Sequence, residues 1–174
     1  DGTRAAESIT AVTVTGLATV DTSTYWTPAG QAIILVLAEV GGLGIVALAT
    51  VLGLFIGGRL GLRTSLVAQA DMHVVSLGEV RPLFRRVTVT MVLSQLVIAA
   101  VLTVRYRLGY FDDLGTSAWH GVFDSVMSFN NAGFSLNSDS IVSYAGDAVV
   151  ILSLSIGVFI GAVTRGPAGS VPRG

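Results

Sequence analysis

From Gln31 to Gly57 the chain is almost wholly apolar, broken only by one ionisable side chain, Glu39, and by the glycine cluster Gly41-Gly42-Leu43-Gly44. A helix rises about 1.5 Å per residue, so roughly 20 residues cross the ~30 Å hydrocarbon layer of a bilayer. This run is long enough to span, with length left for tilt or for a bend at the glycines. A second span fits Val87 to Val104, with Arg86 and Arg105 placed to snorkel at its ends. A third fits Ile141 to Val163. Composition agrees: 52% of residues are hydrophobic, 12% are charged and the mean hydropathy is +0.75, far from a soluble average. The fold class predicted is an all-α, multi-pass membrane protein with membrane lipid as its main neighbour. A soluble helical bundle is the weaker alternative, and it fails on the lengths of the apolar runs.

Charge narrows the function further. The net charge is -1, all ten cations are Arg, and none forms a polybasic run. No nucleic-acid partner is expected, because phosphates call for clustered cations. Cysteine is absent, which removes disulfides, thiolate nucleophiles and thiolate metal sites. The densest positive cluster is Arg59, Arg63, Arg81, Arg85 and Arg86 against Asp71 and Glu79, so residues 59–86 read as a cytoplasmic connection by the positive-inside rule. The stretch from Arg105 to Ser140 carries more acid than base and faces outward. The chain thus divides into 1–58, a connection 59–86, a second unit 87–163, and a Gly/Pro-rich stretch 164–174 that reads as a flexible tail or truncation scar. The first residues carry no basic-then-apolar leader, and the chain is expected to start mid-protein.

Two segments are too polar or too short to span, and both follow one pattern. A short amphipathic helix (Thr3 to Val12; Ser117 to Phe129) ends in a glycine-containing turn, followed by a polar stretch and then a spanning helix. This is an internal repeat by pattern, not by identity. The turns are Thr13-Val14-Thr15-Gly16-Leu17 and Asn130-Asn131-Ala132-Gly133-Phe134. A dehydrated cation needs oxygen ligands to replace its water, and backbone carbonyls along a pore axis supply them. Glycine lets such a loop turn carbonyls inward where side chains would clash. Irregular backbone at membrane depth needs surrounding protein or a water-filled cavity, so a pair of such loops implies a pore.

These residues resemble the Trk/Ktr/HKT superfamily of potassium transporters. The resemblance rests on Ala11 to Leu17 followed by Val20-Asp21-Thr22, on Gln31 to Gly44, and on Phe129 to Leu136, and it covers nearly residues 1 to 163. It implies repeated units of outer helix, pore helix, filter loop and inner helix, here incomplete because the first outer helix would precede Asp1. It also implies that carbonyls around Thr13, Val14, Thr15 and Gly16, and around Asn130, Asn131, Ala132 and Gly133, form two of the four sides of a potassium filter in a bacterial cell membrane. The isolated chain is therefore expected not to conduct. The resemblance further implies a homodimer of the full-length subunit and a cytosolic, nucleotide-binding regulatory subunit. It implies K+ as the transported ion, and no covalently bound cofactor is expected. After the second loop the family's glycine cluster is replaced here by Gly157-Val-Phe-Ile-Gly161.

Other residues have simpler readings beside functional ones. An acid inside a span costs roughly 2.5–3.5 kcal/mol on insertion scales, so Glu39 is a candidate intramembrane polar site, or else a structural acid paired with another helix. Gly41, Gly42 and Gly44 lack the preceding strand and the Lys-Ser/Thr of a phosphate loop, which leaves close helix packing or a bend. His120 and Asp124 are four apart on the second short helix, but two residues make an incomplete metal site; His73 reads as solvated. No hydrolase triad or redox site is present, and the chain is not expected to be an enzyme. The competing function class is a non-conducting membrane helical fragment with a packing role only.

Overall fold

The structure, a computed structural model, describes residues 2–16, 20–64 and 77–165. Leu17, the middle of the 59–86 connection with Asp71 and His73, and the tail from Gly166 lie outside the described residues. The elements are α1 (Gly2–Val12), α2 (Thr22–Tyr25), α3 (Pro28–Thr64), α4 (Leu77–Gly109), α5 (Leu114–Asn130), a 3-10 turn (Val142–Tyr144) and α6 (Ala148–Arg165). There is no strand among the described residues, and the all-α expectation holds.

Two helices are longer than the apolar runs that announced them. α3 has 37 residues and α4 has 33, about 55 and 50 Å of helix, so both continue through the polar residues read as part of the connection. The helical hydrogen-bond ladder closes within the segment in lipid or in water, so hydropathy marks the membrane stretch and not the helix end. The third span starts later than the expected Ile141. Residues 142–144 form the 3-10 turn, and Asp147 then caps α6, accepting the Val149 and Val150 N–H groups at 3.0 and 3.4 Å. α5 begins three residues earlier than Ser117 because Asp113 caps it, accepting the Thr116 N–H at 2.8 Å.

α1 packs on α3, while α4, α5 and α6 pack on one another; α3 joins the two groups through α5. One core gathers Ala11, Ile34, Ala38, Phe123, Met127 and Ala132 around the junction. A second lies between α4 and α6, where Leu102, Tyr106 and Val150 are fully buried and Tyr106 stacks on Tyr144 at 5.0 Å. The outward faces of the long helices are apolar too, with Ile33, Val36, Leu96, Val97, Leu152 and Phe159 all more than half exposed. Residues Pro28–Ile45 and Arg85–Gly109 are long and apolar enough to cross a bilayer, and Ala148–Thr164 is a shorter apolar helix. The chain is a membrane protein.

Candidate functional site

α1 and α5 stop in the same way. After α1, the Val14 N–H donates to the Ala11 carbonyl at 3.2 Å and the Thr15 N–H reaches back to Thr10 at 3.0 Å. After α5, the Asn131 N–H donates to Ser128 at 3.1 Å and the Ala132 N–H reaches back to Met127 at 2.9 Å. The register aligns Val14 with Asn131 and Gly16 with Gly133. The backbone angles agree: φ is 53° at Val14 and 54° at Asn131, and 71° at both glycines. The bond from two residues past the helix to its last turn, with a left-handed residue between, is a Schellman-type stop. Asn tolerates the left-handed angle, whereas a β-branched Val there is strained. Val14 is held by packing against the junction core.

The two loops meet at their glycines. A Cβ added at Gly16 would sit 3.0 Å from the carbonyl carbon of Ala132 and 3.2 Å from Gly133 Cα; one added at Gly133 would sit 3.3 Å from Gly16 Cα. The negative ends of two helix dipoles therefore converge on one place, which favours a cation there. Thr13 and Thr15 are exposed, with their hydroxyls 2.6 Å apart, while Asn130 and Ala132 are fully buried and Asn131 is exposed. Beside the loops a cavity of about 300 Å³ is lined by Asp21, Thr22, Gly133, Ser135, Asn137 and Ser140, among others. Hydrogen bonds from the Ser23 hydroxyl and N–H hold the Asp21 carboxyl below the usual carboxylate range, so a negative charge stands at its edge.

α3 and α6 each touch the end of a short helix through a glycine. An added Cβ at Gly41 would lie 2.8 Å from the carbonyl carbon of Val12, and one at Gly161 would lie 2.9 Å from that of Phe129. Val12 and Phe129 are register equivalents. Of the glycine cluster, Gly41 thus serves helix packing, one of the two sequence readings, while a Cβ at Gly44 would meet nothing within 4 Å. Glu39, two residues before Gly41, accepts hydrogen bonds at Oε2 from Asn130 Nδ2 at 2.8 Å and from Gln95 Nε2 at 3.0 Å.

One anchor was not singled out from the sequence. Glu7 is fully buried and accepts the Val20 N–H at 3.0 Å and the Trp26 indole N–H, tying α1 to the chain beyond the loop. In register it matches Asp124, which accepts the Tyr106 hydroxyl at 2.7 Å. An acid at the same position of both short helices, six residues before Thr13 and Asn130, was the available signal. Asp124 bonds Tyr106 and not His120, whose ring lies 4.5 Å from that of Phe111, and no group of three metal-ligating side chains occurs among the described residues.

Two short helices, each ending in a left-handed residue with a glycine two positions on, packed with helices long and apolar enough to cross a bilayer, define an all-α membrane protein. The chain belongs to the TrkH family of cation transport proteins, whose model matches residues 4–164. It is 35% identical over 147 residues to Ktr system potassium uptake protein B of Bacillus subtilis (strain 168), covering 83% of this chain and 32% of that protein. It is 37% identical over 153 residues to the protein of the same name in Vibrio alginolyticus, covering 86% and 32%. It is 28% identical over 153 residues to the potassium/sodium uptake protein NtpJ of Enterococcus hirae, covering 87% and 33%. The chain spans about a third of the length of the curated relatives it matches.

Proposed function

We propose that this chain supplies two sides of a carbonyl-lined filter through which a membrane protein takes up potassium. The observation that carries the reading is the matched pair of helix stops whose glycines, Gly16 and Gly133, lie against each other with φ of 71° at both. Carbonyls of Thr13 to Gly16 and of Asn130 to Gly133 replace the water of a dehydrated K+, and the dipoles of α1 and α5 stabilise its charge. Asp21 at the cavity edge raises the local cation concentration. The remaining sides come from equivalent units of the full-length subunit. That subunit works as a homodimer, with a nucleotide-binding cytosolic subunit docked on the α3–α4 side. The names of the relatives, potassium uptake proteins, support this reading of the ion.

The test is rubidium uptake in a bacterium lacking its own potassium uptake, using the complete reading frame that encodes this segment. Gly16→Ser and Gly133→Ser are expected to abolish uptake or its preference for K+ over Na+ while protein still reaches the membrane. Unchanged uptake in both rejects the filter. Purified 174-residue chain in liposomes is expected to show no flux, and flux abolished by Gly16→Ser would overturn the two-sided account.

A further inference from the structure

We infer that Glu39 is a positioning residue that fixes the second loop by holding the amide of Asn130, and that it sets ion preference without touching the ion. The inference rests on the filter reading of that loop. Glu39 lies on α3, Gln95 on α4 and Asn130 at the end of α5, so one carboxylate oxygen joins three helices. A carboxylate only accepts, so both amides must turn their NH2 groups toward it, which fixes the orientation of the Asn130 side chain. Charge-assisted bonds of 2.8 and 3.0 Å offset the cost of an acid inside a span.

Asn130 is fully buried, and its side chain reaches Glu39 on α3. It is followed at once by the left-handed Asn131, so the position of Asn130 decides where the turn leaves α5. The other side of the brace is firm as well, because the Gln95 carbonyl accepts the buried Ser125 hydroxyl at 2.7 Å. Among the described residues the first loop has no such tie at the matching position. Thr13 there donates locally to the Ile9 carbonyl at 2.9 Å. Glu39 therefore acts on one loop of the two. Two residues along the same helix, Gly41 rests on Val12, so α3 touches the ends of both short helices, but through different residues.

The experiment compares rubidium uptake and its inhibition by sodium in the complete reading frame for wild type, E39A, N130A, E39A/N130A and E39Q, with membrane levels measured for each. E39A and N130A are expected to lower the K+ over Na+ preference several-fold, the double variant no further than the worse single, and E39Q to rescue most of the loss because the amide oxygen can accept the same N–H groups. If E39Q falls as far as E39A, the charge and not the brace matters, and the inference is overturned. Additive losses in the double variant, or unchanged preference in E39A and N130A, overturn it too. Should E39A fail to reach the membrane, N130A, which leaves the Glu39–Gln95 bond in place, reads loop placement alone. Gly133→Ser serves as the separate control: normal uptake by that variant would reject the filter itself, whatever Glu39 does.

Discussion

Gly161→Ala should be one of the most damaging single-methyl additions in the spanning helices, and the structure says by how much. The new Cβ would sit 2.9 Å from the carbonyl carbon and 3.3 Å from Cα of Phe129, with the carbonyl oxygen closer still. Carbon atoms touch at about 3.5–4.0 Å, so α6 must withdraw by at least roughly 0.6–1 Å from the end of α5 to clear the carbonyl carbon, and by more to clear the oxygen. Both opposing atoms are backbone, so no rotamer change relieves the overlap. Forcing a methyl into packed structure costs typically about 1–3 kcal/mol, and backbone on both sides puts this site at the upper end. Ala gains up to about 1 kcal/mol over Gly from helix propensity. That gain is common to Gly44→Ala, whose Cβ would meet nothing within 4 Å in this chain. The difference between the two variants is therefore the steric cost, about 3 kcal/mol. Gly157→Ala, which meets the Ser128 and Ile98 side chains, falls between them, and Gly41→Ala against Val12 should match Gly161→Ala. Thermal unfolding of the detergent-solubilised full-length protein, read beside rubidium uptake, gives the order. Equal melting of the Gly44 and Gly161 variants would refute the packing argument.

Gly16→Ala and Gly133→Ala both force Ala into φ of 71°, at about 1–2 kcal/mol. Gly16→Ala also drives its Cβ to 3.0 Å from the Ala132 carbonyl carbon, so it should cost more uptake than Gly133→Ala; equal losses would place the loops wrongly. Trp26→Phe removes a donor from the fully buried Glu7 carboxylate, an expected cost of about 1–3 kcal/mol in unfolding, measured as a lower melting temperature with α1 the segment that loses hydrogen-exchange protection. Burial pushes the Asp147 carboxyl up, but the Tyr110 hydroxyl, the Val150 and Val149 N–H groups and Arg105, 2.6 Å away, together hold it below its ordinary value. A lowered folded-state pKa stabilises above the unfolded value of about 3.9 and is lost as pH falls through the folded value. Melting should therefore be insensitive to this group between pH 5 and 8 and should fall below about pH 4, and Asp147→Asn should remove that acid-side loss.

What the sequence carried best was what lipid and helix stops impose. The apolar run after Pro28 and the glycines at 16 and 133 were readable because span length and left-handed backbone each leave a strong mark on residue choice. Helix ends were less legible. α3 runs to Thr64 and α4 starts at Leu77, because polar residues outside the bilayer extend a helix as well as apolar ones. The start of α6 was hidden for the opposite reason: Ile141 and Val142 prolong the apolar run, and the carboxylate of Asp147 sets the boundary. Glu7 escaped notice because an acid near the start of a short amphipathic helix looks solvated until its partners, 13 and 19 residues away, are known.

The matched turns also explain why the repeat is visible in pattern and absent in identity. Backbone requirements recur: a left-handed residue, a glycine two positions on, and a glycine on the long helix, Gly41 of α3 or Gly161 of α6, where it meets the last turn. The side chains that hold each turn do not recur, because each faces different neighbours. Glu7 finds Val20 and Trp26, whereas Asp124 finds Tyr106 on α4. Thr13 bonds its own helix, whereas Asn130 reaches Glu39. Two loops with the same backbone and different supports can share a chemical task while failing separately, so substitutions behind one loop should alter ion preference without removing the contribution of the other.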